Sequence, residues 1–182
     1  MTFNEYIPLA QRTDSNEGKD KMTNAMLGMV GELGECLNAW VKLTEDPNGE
    51  RAEKLHDELG DFCWYMAAAA AYLGEDVCRF GEEEVPLVTV LFSEDLLPKM
   101  MRLNICIAEL TDMWKKHMFQ GHRDFDREKA GVLLEKIYKA FYVFAMQASI
   151  LFDFSELFEL NIEKLKKRYP NGFEASRSLN RK

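Results

Sequence analysis

Residues 26–66, MLGMVGELGECLNAWVKLTEDPNGERAEKLHDELGDFCWYM, decide how this chain folds. Met26, Val30, Leu33, Leu37 and Trp40 step by 4, 3, 4 and 3, and Leu55, Leu59, Phe62 and Met66 step by 4, 3 and 4. That spacing draws an apolar stripe down one side of an α-helix and does not fit a strand, whose period is two. Asp46-Pro47-Asn48-Gly49 between the two stripes has the residues of a turn. The stretch therefore predicts a helical hairpin over about 21–74, with Gly74 stopping its second helix.

The same period continues toward the C-terminus. A looser segment from Glu75 to about Pro98 contains Gly81, Pro86 and Pro98. Two long helical patterns follow, roughly Lys99 to Phe119 and Arg127 to Phe152, joined by the polar turn Gln120–Asp124. A last helix is expected from about Ser155 to Arg168, before Pro170-Asn171-Gly172. The expected fold is all-α: a single domain over 1–182 with a four-helix-bundle core of two hairpins (about 21–74 and 99–152), plus N-terminal and C-terminal helices.

The two hairpins resemble each other. A shift of 77 lays Val30, Glu32, Leu33 and Glu35 on Ile107, Glu109, Leu110 and Asp112. A shift of 78 lays Leu55, Leu59, Cys63 and Met66 on Leu133, Ile137, Phe141 and Phe144, and Glu58 and Asp61 on Lys136 and Lys139. An internal duplication accounts for this, with lysines replacing part of the second copy's acids. So does the shared apolar period of any two amphipathic hairpins. If the duplication holds, Lys136 and Lys139 either neutralise Glu109 and Asp112 or sit in solvent.

Composition sets outer limits. The chain has 182 residues, 23 Lys+Arg against 31 Asp+Glu, a net charge of −8 and a pI near 5.0, and 47% of its residues are hydrophobic. That apolar share excludes wholesale disorder, and the acidity disfavours a nucleic-acid polymer as partner, since phosphate counterions would go unreplaced. Cys36, Cys63, Cys78 and Cys106 form no CxxC pair and fall in apolar contexts, which predicts buried reduced thiols and a cytoplasmic protein. The first residues lack the charged-then-apolar pattern of a signal peptide. The longest apolar stretch, Phe62 to Leu73, falls short of the ~20 residues that cross a bilayer, so no membrane partner is expected.

The chemistry concentrates in Gly31-Glu32-Leu33-Gly34-Glu35 and Glu58-Leu59-Gly60-Asp61. Glu32 and Glu35 lie within about 60° of each other around their helix and flank the apolar stripe, on a strip shared with the small residues Gly28 and Ala39. Glu58, Asp61 and Tyr65 share a strip on the second helix. An antiparallel hairpin lets the two strips face each other. Four carboxylates in a partly buried site raise one another's pKa unless cations join them. An all-oxygen set suits Mg²⁺ or Mn²⁺, which keep positions open for water and phosphate oxygens. The competing reading is a solvated acidic face, because an acid-rich chain carries ExxE pairs such as Glu50/Glu53 by chance.

GELGE, a turn and ELGDFCWYM together resemble the signature of the MazG-like nucleotide pyrophosphohydrolases, an all-α family that includes dimeric dUTPases and phosphoribosyl-ATP pyrophosphatase. Their pattern is EExxE, then about 12–28 residues, then ExxD. Here Glu32 and Glu35 are followed by 22 residues, then Glu58 and Asp61. Gly31 stands where the pattern has its first Glu. The resemblance extends to Arg12-Thr13 and to NIEKLKKRYPNGF at 161–173, similar to the family's NxxKLxxRYPxGF tail. It covers about Phe3–Asp76 and Leu160–Phe173, the rest being a long insertion relative to the shortest members.

The resemblance implies Mg²⁺-dependent cleavage of a nucleoside triphosphate, a dNTP above all, between its α and β phosphates. Glu32, Glu35, Glu58 and Asp61 would hold metal and carry the catalysis, and a homo-oligomer, most simply a dimer, would be the working form. Asn161, Lys164 and Arg168 share one helical face, and the resemblance implies a clamp on phosphates; a solvated basic helix end is the alternative. Tyr65 either borders the nucleoside or packs in the core. Trp64 points elsewhere around its helix and is expected at a helix–helix or subunit contact. His117 and His122, with Asp124 and Asp126, read as a polar surface loop. Glu53-Lys54-Leu55-His56 is a single ExxH, whereas a di-iron bundle needs two on different helices. A degenerate relative that binds nucleotide or protein without turnover is the competing function.

Overall fold

The computed structural model describes residues 1–78, 80, 96–121, 124–148, 154–174 and 176. Among these the chain forms six helices: α1 (Phe3–Gln11), α2 (Gly18–Glu45), α3 (Gly49–Leu73), α4 (Leu96–Phe119), α5 (Arg127–Ala148) and α6 (Phe154–Arg168). The looser segment expected over 75–98 lies largely outside the described residues, as do His122 and the expected end of a helix at Phe152.

The hairpin predicted from residues 26–66 is α2 and α3. Asn48 caps α3 by accepting from the Arg51 N–H at 3.0 Å, and Gly74, with φ of 90°, ends it. α4 and α5 form the second hairpin. α3 packs beside α5 and α2 beside α4, which closes a four-helix bundle. One polar tie in that closure is the Trp114 indole donating to Thr23 Oγ1 at 3.0 Å, from α4 to α2. Pro98 falls in the first turn of α4, where its missing N–H has no helical partner to lose.

α3 is the central rod. It meets α1, α2, α5 and α6, and its Ala67-Ala68-Ala69-Ala70 run is buried because small side chains let neighbouring backbones approach closely. Phe62 stacks on Phe141 with ring centroids 4.3 Å apart, joining the hairpins at their core. α1 carries Phe3 and Tyr6 against Phe158 of α6, and a Thr2–Glu5 capping box fixes its start. α1 and α6 together cover the flank of α3 that carries the acidic motif.

The stripe on α2 is rotated from the one read in the sequence. Met22, Ala25, Met26, Met29, Leu33 and Cys36 are buried, whereas Val30 is 53% exposed. Its counterpart by the 77-residue shift, Ile107, is buried, so the correspondence between the hairpins fails there. Leu55, Leu59, Cys63 and Met66 are buried, as are Leu133, Ile137, Phe141 and Phe144. All four cysteines are free; three are buried, but Cys106 is only half-buried.

Candidate metal centre

Glu32 of α2 and Glu58 and Asp61 of α3 come together where the hairpin's two strips face each other. One carboxylate oxygen from each lies within 4.8 Å of the others. Ligand oxygens around an octahedral ion at about 2.1 Å sit about 3–4 Å apart, so a modest side-chain contraction seats a hard divalent cation among them. The donor set is all oxygen, Glu58 is buried, and Glu32 and Asp61 are half-buried. On donor chemistry these three residues could hold a metal ion.

Each carboxylate has a different environment. The exposed Lys54 ammonium, one turn earlier on α3, pairs with Glu58. Lys164 of α6 pairs with Asp61 at 2.9 Å and approaches the Asp57 carboxylate at 3.6 Å. Glu32 has no ion pair among the described residues. Burial, with Asp61, Glu35 and Glu58 nearby, raises its pKa from 4.5 to about 7, and Lys164 opposes the rise. Glu32 is therefore the acid whose charge is least compensated.

Glu35 stands outside this cluster, correcting the expected four-ligand set. It is exposed one turn beyond Glu32, at the rim of the strip rather than between the helices. Its field still reaches Glu32.

Asn161 is also corrected. Rather than being available to grip phosphate, it is buried at 3% exposure. Its Oδ1 accepts from the Tyr6 hydroxyl at 2.7 Å and its Nδ2 faces Asp61 Oδ1 at 3.4 Å. It fits there because α3 has Gly60 beneath it, where a Cβ would come within 2.8 Å of the amide. Tyr6–Asn161–Asp61 thus fixes one carboxylate from behind. Lys164 is likewise committed to Asp61 in this state.

Beside the cluster opens a cavity of about 370 Å³ with Glu32 and Asp61 in its wall. Trp64, Tyr65, Tyr169 and Phe173 supply aromatic surface; Asp14, Asn16 and Asn24 supply polar groups; Arg168 closes one side. Tyr65 lies where α2 has Gly28, and a Cβ there would fall within 2.1 Å of its ring. The small residue on the acidic strip therefore seats an aromatic ring and does not leave a void.

Trp64 belongs to this wall and makes a contact between α3 and α1, the helix–helix alternative expected for it. Its indole donates to Ala10 O at 3.1 Å and Thr13 Oγ1 at 2.9 Å, and its ring meets Tyr65 edge-on. That clasp holds the loop after α1, in which Asp14 Oδ1 accepts from Asn16 N and Nδ2, both at 2.9 Å, and Asp14 Oδ2 pairs with Lys21 at 3.1 Å. The sequence signal for this wall was uneven: Thr13, Tyr169 and Phe173 fell within quoted motifs, whereas Asp14 and Asn16 lie in a loop with no helical register. Asn24, four residues before Gly28 on α2, had the register of the acidic strip as its signal.

The second hairpin has no equivalent centre among the described residues. Lys136 and Lys139 are exposed, and Asp112 pairs with Lys115 and Lys116 of its own helix, which hold its carboxyl at about 2. His117 is half-buried, its ring against Trp114 and Phe125, and so is packed more closely than a surface loop residue. His56 is half-buried, and burial lowers its pKa.

No family model matches the chain, and no solved structure does. A segment of 70 residues is 40% identical to the "Gene 37 protein" of Mycobacterium phage L5, covering 36% of this chain and 59% of that protein. The match therefore spans less than two thirds of that relative's length. No helix of the described residues is long and apolar enough to cross a membrane.

Proposed function

We propose that this protein is a Mg²⁺-dependent nucleoside triphosphate pyrophosphohydrolase of the MazG-like kind, with Mn²⁺ able to substitute. It would cut dNTPs between the α and β phosphates to give a nucleoside monophosphate and pyrophosphate. The observation that carries this reading is the adjacency of two features: three converging carboxylates and a nucleoside-sized aromatic cavity that share Glu32 and Asp61 as a common wall.

Glu32, Glu58 and Asp61 would hold the divalent ion. When bound, it would neutralise phosphate charge, polarise the attacking water and stabilise the leaving oxygen. Asn161 and Tyr6 keep Asp61 oriented for that task. The attacking water's proton goes to a glutamate, and Glu35, outside the cluster and exposed, is the one whose carboxylate is uncommitted. Trp64 and Tyr65 offer faces for a base or sugar. Arg168, with no ion pair among the described residues, is the cation available for phosphate, and Lys164 can turn from Asp61 to phosphate as the ion takes over that charge.

Two further parts of the reading have separate supports. Leu27 and Val30 of α2 and Met101 and Ile105 of α4 are exposed on adjacent helices, and we read that apolar strip as the face for a second copy. Four free cysteines support a reducing compartment, the cytoplasm.

The competing reading is a binding module without turnover. Lys54 and Lys164, already seated on two of the carboxylates, favour it. Incubation with a panel of dNTPs and NTPs plus Mg²⁺, following monophosphate and pyrophosphate, separates the two. Release of both products in equal amounts supports the enzyme. Nucleotide binding without either product supports the module.

A further inference from the structure

The two lysines on the cluster are held differently. Lys164 is enclosed, its side chain 18% exposed, and it has three acceptors: Asp61 Oδ2 at 2.9 Å, Asp57 O at 3.5 Å and Asp57 Oδ1 at 3.6 Å. Lys54 sits on the open side. Its side chain is 64% exposed and it pairs with Glu58, whose side chain is 6% exposed. A buried carboxylate thus has its charge balanced by an ammonium whose side chain is largely in solvent. Among the described residues no ammonium pairs with Glu32, the third member of the cluster.

We infer that Lys54 is the exchangeable internal cation of this centre: it occupies the charge position at Glu58 until a divalent ion enters, and its departure sets the affinity for that ion. The inference rests on Glu32, Glu58 and Asp61 being the metal ligands. Lys54 and Lys164 each pair with a carboxylate that the ion would take, so an ion at that carboxylate displaces the ammonium seated there. Withdrawing Lys164 would break three contacts in a half-enclosed place, whereas withdrawing Lys54 breaks one contact at the surface. The ion therefore enters on the Glu58 side, and Lys164 stays on Asp61 until a phosphate arrives. Lys54 acts here as a positioning residue that tunes occupancy and touches no reacting atom.

The test is Mn²⁺ binding to the full metal-free chain without nucleotide, read from the loss of the free Mn²⁺ paramagnetic signal. Lys54→Met should bind about 5- to 10-fold more tightly than the unaltered chain, the effect of removing one charge-assisted competitor whose head is solvated. Lys54→Arg retains the charge and can grip a carboxylate with two donors, so it should bind no more tightly than the unaltered chain. Arg51→Met is the control for general charge. It lies one turn earlier on α3, pairs with Asp46 at 3.1 Å, and should change affinity less than about twofold. Mn²⁺ binding that is unchanged in Lys54→Met, or tightened equally in Arg51→Met, overturns the exchange while leaving the metal centre standing. Failure of both the unaltered chain and Lys54→Met to bind Mn²⁺ at millimolar concentration overturns the centre and the exchange together.

Discussion

The two hairpins of this bundle share an apolar skeleton and differ in where they put charge. In α2/α3, Glu58 is buried with Asp61 one turn away on the same helix, and Glu32 faces the two from α2. In α4/α5, Lys136 and Lys139 occupy the aligned positions and are exposed, and Asp112 is satisfied by lysines of its own helix. Packing alone therefore does not call for a carboxylate cluster, since the second hairpin reaches the same core without one. The acids of the first hairpin carry a desolvation cost that their neighbours offset only in part, as the raised pKa of Glu32 shows. Charge kept inside a fold at such a cost is what makes the first hairpin, and not the second, the candidate site.

The largest contrast is expected in turnover. Glu58→Gln should lower pyrophosphate release by at least about 100-fold, because even indirect supports of a metal ligand are worth 10- to 100-fold. The double variant Lys136→Ala, Lys139→Ala should stay within about twofold, as expected of surface residues away from a site. A loss of similar size in both would show that the hairpins are not functionally distinct.

A smaller effect is expected in stability. Gly28→Ala puts a methyl group into the Tyr65 ring and should cost about 1–3 kcal/mol in denaturant unfolding, with a raised KM as the cavity wall shifts. By the 77-residue shift its counterpart is Ile105, which is exposed, so Ile105→Ala should cost under about 0.5 kcal/mol. Equal costs would remove the argument that Gly28 exists to seat Tyr65.

The smallest effect concerns pH. Folded Glu32 keeps its proton up to about 7, while the unfolded chain releases it near 4.5. Its contribution is therefore fully present below about 4.5 and lost as pH rises through about 7. Without divalent cations, Tm should fall by a few degrees, on the order of 5 °C, between pH 5 and 8, and Glu32→Gln should flatten that fall. Asp112 behaves in the opposite sense: its carboxyl is held at about 2, so what it contributes is present above its ordinary value and lost only in strong acid. A Tm that rises over pH 5–8 in the metal-free protein would contradict the environment assigned to Glu32.

Much of the fold was legible because helical period survives at single-residue resolution. The steps from Leu55 to Met66 named buried residues correctly. Val30 misled because α2 is apolar on more than one side: Leu27 and Val30 continue a plausible stripe that the bundle leaves in solvent. The cluster was legible as far as helical geometry reaches, giving Glu32, Glu58 and Asp61. Glu35 failed because a shared face does not guarantee a shared depth. The burial of Asn161 and the partners of Trp64 were out of reach for a different reason. Their partners, Tyr6 and Thr13, are 155 and 51 residues away in sequence, and no local period encodes such contacts.

The central claim is that Glu32, Glu58 and Asp61 close around one divalent cation. Crystals grown with Mn²⁺ and measured for anomalous scattering test it directly. The account predicts a peak between α2 and α3 within about 2.0–2.3 Å of an oxygen from each of the three side chains. A well-ordered map with no peak there, or with Lys54 still seated on Glu58 at saturating Mn²⁺, would contradict it.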